Sequence, residues 1–227
     1  MKQTIMKRRR LQPKNLIWNR SCFTRSKDTP MDASAITILP LTSELWADFE
    51  TLFGPHGAQG GCWCMWWRIK RSQFESQQGE DNRLAMKAIV ASGQIPGLLA
   101  YLDGRPVGWC SVAPRLDFSV LDRSRVLARI DDEPVWSIVC FYIAKGYRRQ
   151  GLTVRLITAA IQYAGAHGAR IVEGYPKDPL KGSHPDPFAF TGLVSAFRKT
   201  GFVEVARRSE TRPIMRYFID QAREAEC

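Results

Sequence analysis

The sequence predicts an α/β fold organised around a central βαβ unit, on three observations. Residues 135–143, VWSIVCFYI, are nearly all apolar, aromatic or small, the composition of a strand buried on both faces. A short basic turn, residues 145–151, then leads to Gly151, after which Leu152, Leu156, Ile157, Ala160, Ile161 and Ala164 recur at helical spacing. Arg155, Thr158 and Gln162 take the opposite side, Gly168 closes the run, and residues 170–175 form the next strand. A strand, a crossover helix and a parallel strand make a βαβ unit. The turn into its helix presents unpaired backbone amides at the positive end of the helix dipole, which suits an anion, most naturally a phosphate.

The remaining elements follow in chain order. Residues 36–39 read as a short strand. Thr42 or Ser43 can then cap a helix whose Leu45, Trp46, Phe49, Leu52 and Phe53 share one face. Residues 83–91 read as a second helix, ending at Gly93. Apolar runs at 97–102 and 107–112 are joined around Asp103 and Gly104, the strongest short hairpin signal in the chain. After the βαβ unit, 193–199 reads as a helix ending in Gly201 and Phe202, and strands are expected near 203–206 and 214–219.

The turn narrows the choice of phosphate compound. It contains neither GxxxxGK[ST] nor GxGxxG, so the common nucleoside-triphosphate and dinucleotide loops are absent. What stands there is Tyr147, Arg148, Arg149, Gln150, Gly151, Leu152 and Thr153. This resembles the acyl-coenzyme A loop of the GNAT superfamily of N-acetyltransferases, in which Arg or Gln is followed by two residues, Gly, one residue, then Gly or Ala. Arg148 and Gly151 match, and Thr153 departs at the last position. The order of elements across about residues 36–219 is also similar to that family. The resemblance implies a mixed, mostly antiparallel central sheet flanked by helices, with the βαβ unit binding acetyl-CoA as cosubstrate. Phe141, Tyr142 and Ile143 would hydrogen-bond the pantetheine arm, and Arg148, Arg149, Gln150, Gly151, Leu152 and Thr153 would hold the pyrophosphate.

Composition fits one domain with tails. A chain of 227 residues that is 44% hydrophobic can bury a substantial core. The net charge of +11 is unevenly placed, because residues 1–30 carry nine basic side chains against Asp28 alone and leave the rest at +3. Phosphate-backbone affinity needs many clustered cations, so the folded part is not expected to bind nucleic acid. We expect residues 1–30 as a basic disordered tail, 31–220 as the domain and 221–227 as a C-terminal tail. Met31 also reads as a natural domain start, with the first thirty residues an over-extension. No long apolar run marks a secretory signal or membrane span, which points to the cytoplasm. Cys22, Cys62, Cys64, Cys110, Cys140 and Cys227 then read as free thiols, Cys110 and Cys140 as strand filler, and no metal site is expected.

The implied chemistry is attack of a neutral amine on a thioester. It needs a base, a donor for the oxyanion and an acid for the departing thiolate. The resemblance puts the oxyanion donor at a backbone amide near the end of the 135–143 strand. It also implies two departures: Ser137 stands where many relatives carry a glutamate, and Phe197 stands where many carry a tyrosine. Ser137 can hold a relay water. Glu173 and Tyr175, two residues apart and on one face of the next strand, are the candidate base and acid. Cys140 and Tyr142 are weaker candidates for the acid. For Glu173 the structural alternative is a salt-bridged strand residue.

Residues 60–68, GGCWCMWWR, concentrate apolar area beyond what a surface loop needs. By resemblance the segment lies on the acceptor side, making Trp63, Trp66 and Trp67 a candidate substrate wall and Arg68 a candidate carboxylate ligand. The structural alternative is that the tryptophans seal the core and Arg68 is a surface cation. The Pro-rich connection after Tyr175, with Pro176, Pro179, Pro185 and Pro187, is long enough to be a binding loop, and His184 within it is a further candidate base. The leading reading is acetyl transfer to a small-molecule amine. Alternatives are a protein or aminoacyl-tRNA acetyltransferase drawn to its partner by the tail, or a non-catalytic module binding acyl-CoA or nucleic acid.

Overall fold

The computed structural model describes residues 36–179 and 189–219. The tail at 1–30, His184, Pro185 and Pro187 lie outside them. Seven strands form one sheet in the order β1-β2-β3-β4-β5-β7-β6. They are β1 (Thr37–Pro40), β2 (Gly97–Leu102), β3 (Arg105–Pro114), β4 (Trp136–Ile143), β5 (Ile171–Gly174), β6 (Val203–Arg207) and β7 (Pro213–Phe218). Only β4 and β5 are parallel, so the sheet is mixed and mostly antiparallel as expected. The helices are α1 (Trp46–Phe53), α2 (Arg71–Ser76), α3 (Glu80–Ala91), α4 (Leu152–Ala166) and α5 (Val194–Lys199).

Local chemistry accounts for the breaks. Leu102 pairs with Arg105, and the two residues between them, Asp103 and Gly104, have φ of 49° and 74°, the double positive φ of a tight hairpin turn. Helix α1 buries Trp46, Phe49, Leu52 and Phe53 on one stripe and stops at Gly54, where φ is 66°. Thr42 does not cap it: a short 3-10 turn at Ser43–Leu45 intervenes, and the helix is preceded by Leu45 with no side-chain cap. Helix α3 begins at Glu80, three residues before the expected start at Arg83. Its two acids in the first turn favour that start, and Arg83 pairs with both Glu80 and Glu50. Helix α2 escaped the sequence reading because its six residues bury only Phe74, too little to show a period.

Two apolar layers clothe the sheet. On one face α4 lays Leu152, Leu156, Ile157, Ala160 and Ala164 against Ile138, Phe141, Val172 and Met215. On the other, α1, α3 and the glycine-rich loop pack around Trp109, Phe49, Trp63 and Met86. A third cluster surrounds Tyr175 with Trp67, Phe118, Leu121 and Val139. Close packing makes Gly174 a sensitive point. A Cβ there would lie 2.2 Å from Phe197 Cε1 and 2.8 Å from its Cζ. Gly174→Ala is therefore expected to destabilise the domain by about 1–3 kcal/mol, read as a lower urea midpoint with unchanged slope.

Candidate active site

The site begins where two parallel strands part. β4 pairs with β5 only through Trp136, Ser137 and Ile138, opposite Val172, Glu173 and Gly174, and then runs on to Ile143 paired with β3 alone. Against β3, Cys140 faces Ser111 and Ile138 faces Val112, so Val139 is an extra residue without a partner, a β-bulge. The bulge turns Val139 and Cys140 toward one face, while Ile138 and Phe141 sit in the core under α4.

Beyond the bulge, one edge of β4 is released from strand pairing. Ala144 N–H donates to Val107 O at 3.0 Å on the β3 side, so by alternation Phe141 and Ile143 turn their backbone groups the other way. No strand among the described residues meets them there. Phe141 N–H donates to Phe190 O at 2.6 Å, and Ile143 O accepts Arg148 Nε at 2.9 Å.

The turn then delivers the chain into α4. Arg149 and Gly151 have φ of 60° and 78°, which curl the backbone so that Val154 and Arg155 donate to Gly151 O at 3.1 and 3.3 Å. The amides of Leu152 and Thr153 precede the first intrahelical bonds, and no side chain caps the helix. Gly151 has open space around its Cα, so a large anion can approach the backbone. The expected cofactor-binding residues thus fall in two runs, 141–143 at the end of β4 and 148–153 across the turn and the start of α4. The Tyr142 ring packs on Phe53 at 5.4 Å, and Gln150 Nε2 donates to Gly146 O at 3.1 Å.

Ser137, Glu173 and Tyr175 meet in one buried network. Glu173 is 1% exposed. Its Oε1 accepts from Tyr175 Oη at 2.6 Å and Arg115 Nη1 at 2.9 Å, and its Oε2 from Arg216 Nε at 2.8 Å. Tyr175 Oη also accepts from Arg115 Nη1 at 2.5 Å and lies 2.9 Å from Ser137 Oγ. Burial, followed by the Glu173 charge, pushes the Tyr175 hydroxyl well above its ordinary range, so it remains a phenol. Outward, Arg115 reaches Asp122 and Leu127 O, and Arg216 binds Asp131 through both terminal nitrogens at 2.6 and 2.9 Å. Arg115 and Arg216 were not anticipated from sequence. The available signal was charge within apolar runs, since Glu173 interrupts IVEG, Arg216 interrupts PIMRYF, and the two prove to be direct cross-strand partners.

The three tryptophans separate. Trp63 is buried beneath Gly57, where any Cβ would fall 2.4 Å from the Trp63 indole nitrogen, and stacks on Phe53. Trp66 is 37% exposed and meets Phe74 edge-on. Trp67 packs beside Tyr175 and Val139, with Phe190 at 6.4 Å, and is the one of the three brought to the parting of β4 and β5. The Arg68 side chain is buried, lies over the Phe118 ring at 4.6 Å, faces Asp117 at 4.0 Å and donates to Pro96 O at 3.3 Å, while its Nε is unpartnered. Cys64, also buried, accepts from Trp109 Nε1 at 3.2 Å. Its thiol is drawn down to about 7, chiefly by Cys140, with Trp109, Ser111 and the Arg68 charge adding to oppose burial.

A parallel strand pair that opens beyond a bulge, an edge that no described strand covers and an uncapped helix start are features that an acyltransferase using a phosphorylated carrier needs. The model of the Acetyltransferase (GNAT) family matches residues 63–179, and the chain belongs to that family, whose cosubstrate is acetyl-CoA. Solved structures of similar form include the PaiA N-acetyltransferase of Thermoplasma acidophilum in complex with coenzyme A, at 15% identity and TM-score 0.46, covering 81% of this chain and 99% of that one. A GNAT-family acetyltransferase from Streptococcus pneumoniae gives 16%, 0.47, 81% and 99% for the same quantities. The ribosomal-protein-S5-alanine acetyltransferase of Vibrio fischeri gives 12%, 0.47, 85% and 98%. No curated protein matches the chain in sequence.

The network should be visible in stability. Arg216→Met leaves the buried Glu173 carboxylate with one guanidinium, and a loss of about 3–5 kcal/mol is expected in denaturant unfolding. Arg216 also holds the Asp131 carboxyl below its usual range. A depressed carboxylate contributes stability above its unfolded pKa of about 4 and loses it as pH falls further. The melting temperature should therefore drop below pH about 4, and Asp131→Asn should flatten part of that drop in a pH series.

Proposed function

We propose that the protein transfers the acetyl group of acetyl-CoA to the primary amine of a small molecule. The observation that carries this reading is the end of β4–β5 pairing at Ile138 and Gly174 while β4, still paired with β3, continues into the turn of α4. An arm containing amides can lie along Phe141 and Ile143 as a strand would, with its phosphates at the Leu152 and Thr153 amides. The acetyl group then falls beside the bulge, where a backbone amide near Val139 can stabilise the oxyanion. Trp67 gives the acceptor side an aromatic wall, and Arg68, buried beside Phe118, can draw a carboxylate if the acceptor carries one.

Proton transfer is proposed to run through Ser137, Tyr175 and Glu173. In the consistent hydrogen-bond direction Ser137 donates to Tyr175, which donates to Glu173. Arg115 and Arg216 hold the carboxylate, so Glu173 receives a proton only through Tyr175 and not by contact with the amine. Tyr175, fully buried, serves the departing thiolate through the same chain. Cys140, half-exposed on the bulge, and Tyr142 are the alternative acids on that face. No helix among the described residues is long and apolar enough to cross a membrane, and we propose action on a dissolved amine in the cytoplasm.

Incubating the chain with acetyl-CoA and a panel of primary amines, and following free thiol, tests the reading. Amine-dependent thiol release with one acetyl group gained per thiol is expected; failure to bind acetyl-CoA would overturn it. Glu173→Gln leaves two buried guanidiniums without their carboxylate and should lower the urea midpoint; in the protein that remains folded, kcat should fall at least about tenfold with little change in acetyl-CoA affinity. A rate unchanged across pH would remove the Ser137–Tyr175–Glu173 chain from the mechanism.

A further inference from the structure

The bared edge of β4 is not wholly vacant. Where β5 has departed, Phe190 O takes up Phe141 N–H at 2.6 Å. We propose that residues 189–190 form a strap occupying part of the cofactor edge, and that coenzyme A must lift it to bind. This rests on the reading that the carrier arm lies along β4.

The segment is built with one fixed end and one turning point. Its C-terminal part is tied down, because Lys177 N–H donates to Gly192 O at 2.8 Å and Val194 N–H to Lys177 O at 3.1 Å. Arg212 Nη1 adds a bond to Thr191 Oγ1 at 3.0 Å, and Thr191 is fully buried. Gly192, with φ of 81°, makes the bend and closes a tight turn by donating to Ala189 O at 2.8 Å. A Cβ on Gly192 would lie 3.0 Å from the rings of both Phe141 and Phe197, so the bend is packed against the core side chains next to the β4 edge. Phe190, beyond the bend, is only half-buried and is held by that carbonyl and the Trp67 ring.

The exchange is balanced in hydrogen bonds. Phe141 N–H passes from the Phe190 carbonyl to an amide carbonyl of the entering arm, and Phe190 O passes to water. Affinity for the carrier is reduced by whatever holds the strap down, and weakening its Trp67 anchor should raise it. The same movement takes the Phe190 ring away from Trp67, coupling carrier binding to the acceptor wall.

Calorimetry with coenzyme A on the wild type and Phe190→Ala supplies one test. The variant keeps the residue 190 carbonyl and loses only the ring contact with Trp67, so it is expected to bind roughly two- to tenfold more tightly, the range of one aromatic pair. In parallel, the scalar coupling across the hydrogen bond from Phe141 nitrogen to the Phe190 carbonyl carbon should be present in the free protein and lost at saturation. Coenzyme A binding with that coupling retained, or weaker binding by Phe190→Ala, would overturn the strap and leave the carrier reading standing. Absence of binding in both proteins would overturn the carrier reading and the strap with it.

Discussion

One carboxylate holds the sheet at the point where it opens. Glu173 lies on β5 and is reached by Arg115 from the end of β3, by Arg216 from β7 and by Tyr175 from the strand end, with Ser137 of β4 one hydrogen bond further. Removing such a charge from water costs several kcal/mol, and two guanidiniums with a phenol can offset it only if all remain in place. Because these partners come from four parts of the sheet, that condition fixes β4 beside β5 for three residue pairs. Past Gly174, β5 ends and β4 goes on with β3 as its one strand partner among the described residues. The cleft is thus the consequence of a short pairing firmly anchored.

The remaining site follows from geometry set by that anchor. A bulge at Val139 lets β4 present consecutive residues to one face without leaving its ladder with β3. The run into α4 places the released strand edge and the helix amides in succession, so a single long ligand can use both. The glycine-rich loop closes the other side. There Trp63 and Cys64 adopt φ of 41° and 60°, backbone that costs on the order of 1 kcal/mol per residue and is held by the Trp109–Cys64 contact and the packing of Trp63 under Gly57.

Much of the fold was legible because it rests on local patterns. The apolar run of β4, the stripe of α4 and the Asp103–Gly104 turn each specify their own element, and the turn sequence points to a phosphorylated ligand. Helix α2 lacked a period, and the start of α3 was set by charge placement that an apolar pattern does not register. The site was less legible for a different reason. Glu173 and Tyr175 share a face by strand alternation and could be paired in advance, but Arg115 and Arg216 stand 58 and 43 residues from Glu173 in the chain. Their convergence depends on strand order, which no local pattern carries. The Phe190 contact is equally non-local.

The central claim is that the unpaired edge of β4, continuing into the start of α4, is the seat of the acetyl carrier. A crystal structure of the chain with coenzyme A tests it most directly. The account predicts the pantetheine amides alongside Phe141 and Ile143, with the pyrophosphate over the Leu152 and Thr153 amides. Coenzyme A bound elsewhere, with that edge and helix start untouched, would contradict it.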